Sequence, residues 1–68
     1  MLLTDYLTKN GMTQSEFARR VGTSHVTVGY WVRGIKQPKP VNVSLIRAAT
    51  AGDVGPDDLQ AALELARR

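Results

Sequence analysis

Five residues near the middle of the chain, His25, Val26, Gly29, Tyr30 and Arg33, fall together on one side of a helical projection, opposite Val28, Trp31 and Val32. A solvated helix face normally carries Glu, Lys and Gln. This one has an imidazole, a branched aliphatic, a glycine, a phenol and a guanidinium, and no acid. Such groups recognise rather than react. The imidazole donates or accepts a hydrogen bond, the phenol offers a hydroxyl or a flat apolar surface, and the guanidinium pairs with anions or acceptor edges. Catalysis fits poorly. His25 is the only histidine, the chain has no cysteine, and no nucleophile is spaced to suit that imidazole. Asp53, Asp57 and Asp58 could be imagined as a metal site, but carboxylates at a helix start account for them more simply.

Those side chains need a helix that is held from behind. Thr13-Gln14-Ser15-Glu16 reads as a capping box, with hydroxyl and carboxylate each satisfying the other residue's amide. Phe17, Ala18 and Val21 follow as an inward face, with Arg19 and Arg20 outward, and Gly22 ends this helix after about two turns. Ser24 is the natural N-cap of the next helix, which buries Val28, Trp31 and Val32 and stops at Gly34. The stretch 13–34 is therefore expected to be a helix-turn-helix. At Gly29, glycine inside a helix costs about 1 kcal/mol relative to alanine. Either it permits close approach to a partner or it relieves crowding by Tyr30.

Around this centre, Leu2, Leu3, Tyr6 and Leu7 predict a first helix over roughly 2–10, ended by Gly11, with Met12 as a staple for the next start. Residues 34–40 read as a loop, since Pro38 and Pro40 disfavour helix and hold Lys36 and Lys39 on an extended, exposed segment. Asn42 is expected to cap a fourth helix containing Val43, Leu45, Ile46, Ala48 and Ala49, ended by Gly52. Gly55-Pro56-Asp57-Asp58 opens a fifth, with Leu59, Leu63 and Ala66 inward and Leu65 off that face. No stretch of useful length alternates with period two. The fold class is all-α, five short helices in a single domain over 1–68.

Composition narrows the partner. The 68 residues carry a net charge of +3, unevenly spread. Between Lys9 and Arg47 seven bases meet one acid, a net of +6, whereas from Asp53 onward four acids meet two arginines, a net of −2. A positive field centred on the helix-turn-helix and its following loop suits a polyanion. A domain this small hides only about 60% of its unfolded surface, so self-association is a natural source of added stability. Without cysteine and with one histidine, neither a disulfide nor a zinc site is expected, and no cofactor is. No apolar run spans a bilayer, and MLLTDYLTKN lacks the basic start of a signal peptide. A cytoplasmic protein of bacterial or phage type is expected.

Gln14, Ala18, Gly22, Val28 and Trp31 stand where the helix-turn-helix of phage Cro and repressor proteins carries its marker residues. Over 13–34 the sequence resembles the lambda-repressor-like, Cro/CI-type regulators. The stretch Ile46–Gly52, followed by Val54–Leu59, is similar to the end of small Cro-like and YdaS-like regulators. Thr23 departs from the pattern, which more often has an apolar residue there. The resemblance implies that the helix at about 24–33 enters the major groove of double-stranded DNA, and that dimers read half-sites roughly 34 Å apart. Base-edge contacts would then fall to His25, Val26, Gly29, Tyr30 and Arg33, with Val26 suited to a thymine methyl. Phosphate contacts would fall to Gln14, at the start of a helix, and to Ser24, Thr27, Lys36 and Lys39.

The expectation is a Cro-like repressor that binds a palindromic operator as a homodimer and acts by occupying a promoter, with no membrane or small-molecule partner. The dimer surface is expected at the fifth helix around Leu65 or at the loop before the fourth helix. Two other readings remain open: an antitoxin-like or accessory module that uses the same fold against a protein, and a small nucleoid-type protein that binds DNA without sequence preference.

Overall fold

The structure is a computed structural model that describes residues 1–67. Five helices follow in order: α1 (Leu3–Lys9), α2 (Gln14–Val21), α3 (His25–Arg33), α4 (Pro40–Ala49) and α5 (Pro56–Ala66). Among the described residues the arrangement is all-helical and free of strands.

Each helix of the motif starts and stops where its local chemistry requires. At the start of α2 the Glu16 amide donates to Thr13 Oγ1 at 3.1 Å and the Thr13 amide donates to Glu16 Oε1 at 3.2 Å, a reciprocal capping box. Thr13 holds the Glu16 carboxyl below its ordinary pKa, first through its amide and then through its hydroxyl. Gly22 ends α2 at φ +77°, a left-handed conformation that costs a β-carbon-bearing residue energy and turns the chain toward α3. Ser24 then caps α3, its Oγ accepting from the Thr27 amide at 3.2 Å.

The core is built from Leu3, Tyr6 and Leu7 of α1, Phe17, Ala18 and Val21 of α2, Val28 and Trp31 of α3, Ile46 of α4, Val54 and Leu59. Phe17, Val28, Ile46 and Val54 are fully enclosed, and the Tyr6 ring meets Phe17 edge-on at 6.2 Å. Ala18 is almost fully buried as well, as expected of a small residue packed between two helices. The first helix lies within its expected bounds, with Leu2 and Asn10 as its caps.

Three expectations are corrected. Asn42 does not cap α4: the helix begins three residues earlier than that cap implies, with Lys39 as N-cap and Pro40 in its first turn. Proline is favoured there because its missing N–H is one that no helix would have bonded. Nor does Gly52 directly end α4. The last helical residue is Ala49, and Thr50 organises the turn, its buried hydroxyl donating to the Ile46 carbonyl at 2.9 Å and accepting from the Val54 amide at 3.1 Å. Finally, Ala66 stays exposed instead of being buried, although it faces the end of α3, whereas Leu59 is buried and Leu65 is exposed as expected.

The fifth helix opens as expected on Gly55-Pro56. Asp58 Oδ2 accepts from the Gly55 amide at 2.9 Å and pairs with the Met1 amino group at 3.1 Å, and the Gly55 bond leads in holding its carboxyl below the ordinary range. The end of α3 fits closely against α5. A β-carbon on buried Gly34, whose φ is +70°, would collide with the Ala62 carbonyl oxygen and crowd Ala66. A bond of 2.8 Å from Gln37 Nε2 to Gln60 Oε1 ties the following loop to the same helix.

Candidate nucleic-acid interface

The outward side of α3 carries two columns at helical spacing. His25, Gly29 and Arg33 form one and Val26 and Tyr30 the other. His25, Val26 and Arg33 are exposed, Val26 to 46%, and Tyr30 is half-buried. Behind them Val28 and Trp31 are locked in the core, so the helix cannot roll without opening it. No acid lies on α3.

Cations gather around Tyr30. The Arg33 guanidinium carbon lies 5.8 Å from its ring centroid and the Lys36 ammonium 5.1 Å away, both within cation–π range. Arg33 also folds back on its own helix, donating from Nε to the Gly29 carbonyl at 3.2 Å. The guanidinium is thereby held beside the outer face instead of sweeping freely through solvent.

Three of the expected phosphate contacts meet in one place. Thr27, Lys36 and Lys39 line a cleft between α3 and the start of α4, together with Tyr30, Gln37 and Asn42. Asn42, expected as a cap, is thus part of this polar wall instead. The Lys39 N-cap makes no side-chain hydrogen bond, so the Val41 and Asn42 amides at the α4 start have no side-chain acceptor over them. Ser24, the N-cap of α3, adjoins this group, its hydroxyl 3.0 Å from that of Thr27. Gln14 is apart from this group. Its side chain reaches from α2 to α3 and lies against Gly29.

Gly29 is buried despite its place on the outer side. A β-carbon there would meet Gln14 Oε1 at 3.1 Å and Arg33 Nη2 at 3.6 Å. Neither sequence-based explanation of this glycine involved Gln14, because the contact joins residues fifteen apart on different helices. The capping box signalled where α2 starts but not where its first side chain leans.

One further part of the surface is apolar. An apolar cleft of about 290 Å³ lies between α1, the end of α3 and α5, lined by Leu2, Leu3, Trp31, Val32, Ala62 and Leu65. Leu65 is 51% exposed on its rim. No described helix is long and apolar enough to cross a membrane.

This arrangement can lie along a polyanion and offer hydrogen-bonding and apolar groups to its grooves. A family model described as helix-turn-helix matches residues 3–59, most of the chain and every element from α1 to the start of α5. No curated protein and no solved structure shows a significant match. With its capped α2, left-handed Gly22, core-locked α3 and cationic flank, the chain belongs to the helix-turn-helix family of DNA-binding regulators.

Proposed function

We propose that this protein is a sequence-specific repressor of Cro type that binds a palindromic operator as a homodimer, with α3 in the major groove. The observation that carries the reading is the outer side of α3, acid-free and fixed from behind by Val28 and Trp31. His25 and Tyr30 supply hydrogen-bonding groups to base edges, Val26 an apolar contact suited to a thymine methyl, and Arg33 a guanidinium for guanine or a phosphate. Ser24, Thr27, Lys36 and Lys39 supply the phosphate side. The uncapped α4 start adds backbone amides and the positive end of a helix dipole.

Dimerisation assigns a role to the apolar surface on α5. The two-fold interface is assigned to the exposed Leu65 and the apolar cleft it borders, since a two-fold contact brings the same patch of both copies together. Because Gly34 and the Gln37–Gln60 bond fix α5 against the end of α3, a dimer formed there sets the spacing of the two recognition helices directly.

Selection of bound sites from random DNA tests the proposal. A palindromic motif with half-sites about one helical turn apart supports it. Recovery of no motif, with binding that depends only on salt and length, contradicts it.

A second reading has an observation of its own. Ile35, Val41 and Leu45 are 55%, 64% and 43% exposed, an apolar surface at the α4 side that the core leaves unused. An antitoxin-like module would use this surface to hold a protein partner. A gel shift on the DNA upstream of its own coding region separates the two, since a pure interaction module gives no specific band.

A further inference from the structure

We infer that Gln14, from α2, is a base-reading residue, and that Gly29 is the position that admits it to the recognition surface. The inference rests on the DNA reading proposed above and adds to it a specificity determinant from outside α3.

The column His25–Gly29–Arg33 has a side chain at each end and none in the middle. That middle position is not open to solvent, because Gly29 is buried. What occupies it is the Gln14 amide, whose Oε1 lies 3.1 Å from where a Gly29 β-carbon would stand, with Arg33 Nη2 3.6 Å from the same point. The Arg33 stem is fixed there by its Nε bond to the Gly29 carbonyl. Viewed from outside α3, the column therefore presents an imidazole, a carboxamide and a guanidinium in order, although the carboxamide is borne by another helix. A glutamine amide pairs bidentately with the N6 and N7 edge of adenine, so the base pair read at this level is expected to be A·T. The capping box supports the arrangement: it fixes the backbone of α2 at Thr13 and Glu16, leaving the intervening Gln14 side chain free to lean on α3.

Gly29 is then retained for recognition at the expense of helix propensity. An alanine there would favour the helix. Its β-carbon would also press on the far end of the Gln14 side chain, which must shift by a few tenths of an ångström. A change that leaves the fold as stable or stabilises it should therefore alter sequence preference.

The test compares the base preferences of the wild type, Gln14→Ala, Gly29→Ala and the double variant, by selection from random DNA followed by titration on the selected site and its single-base-pair variants. Thermal unfolding of each protein is measured in parallel. The expected result is that Gln14→Ala erases the preference at one base pair per half-site, about tenfold or more in relative affinity. Gly29→Ala should weaken the same preference with an unfolding midpoint no lower than wild type, and the double variant should lose no more than Gln14→Ala alone. A uniform loss on all sequences for Gln14→Ala overturns the inference, because that is how a phosphate contact behaves. So does an unchanged motif in Gly29→Ala, or additive losses in the double variant. A wild-type protein that selects no motif overturns the DNA reading and this inference together, whereas a wild-type motif indifferent to both substitutions overturns this inference alone.

Discussion

Helices α2 and α4 are of similar length and both pack beneath the outer surface, yet they are built differently. The first has a reciprocal capping box, three buried residues and a left-handed glycine at its end. The second has no side-chain cap and buries only Ile46 completely, while Val41 and Leu45 face solvent. The contrast shows where positional precision is needed. Helix α2 must hold α3 at a fixed angle, so its start, length and packing are each specified by particular residues. Helix α4 has only to close the core and bring its first turn beside the cleft of Lys36 and Lys39, and one enclosed side chain is enough for that.

Substitution sharpens this contrast most at the inner face of α3. Trp31→Ala, which opens a cavity between α3 and the rest of the core, is expected to cost about 3–5 kcal/mol in denaturant unfolding. A cost below about 1 kcal/mol would mean that α3 is not anchored as described. Gly34→Ala comes next. It forces a left-handed alanine against the Ala62 carbonyl, and overpacking of this kind costs about 1–3 kcal/mol. An unchanged melting curve would separate α5 from α3 and remove the link between dimer surface and recognition helix.

Thr13→Ala is a smaller change, worth about 1 kcal/mol as a lost N-cap. Its effect should depend on pH. The Glu16 carboxyl is held below its ordinary pKa by Thr13, so its contribution is complete above the ordinary carboxylate range and is lost as pH falls through the lowered folded value. The gap between wild type and Thr13→Ala should therefore narrow in acid, and a gap that widens there would contradict the capping account. Smallest of all, Leu45→Lys on α4 is expected to change stability by no more than about 0.5 kcal/mol, as for a surface site. A large loss would show that this face is covered in the native protein, and analytical ultracentrifugation would then tell whether by a second copy.

The same contrast explains what could be read from the sequence. Thr13, Glu16, Ala18, Gly22, Ser24, Val28 and Trp31 announce α2, the turn and α3 because each acts on its immediate neighbours or on one helical period. The start of α4 is harder to read, because Pro40 suggests a helix breaker yet occupies the one turn where proline is tolerated, and Asn42 is the nearest residue of a capping type. The role of Thr50 has no sequence signature, because its hydroxyl works through partners at Ile46 and Val54 that only the finished turn brings together. At the interface, the outward set on α3 followed from periodicity, and Lys36 and Lys39 from the loop prolines. The meeting of Gln14 with Gly29 did not, since it depends on the crossing of α2 over α3 and has no local pattern.

The central claim is that the outer side of α3 distinguishes one DNA sequence from another. Its most direct test is the ratio of affinity for the selected site to affinity for unrelated DNA, measured at one salt concentration for the wild type, His25→Ala and Tyr30→Ala. Each substitution is expected to lower affinity for the selected site by about 1–3 kcal/mol while leaving binding to unrelated DNA nearly unchanged. Equal losses on both DNAs, or no loss on either, would contradict the assignment of this face to sequence recognition.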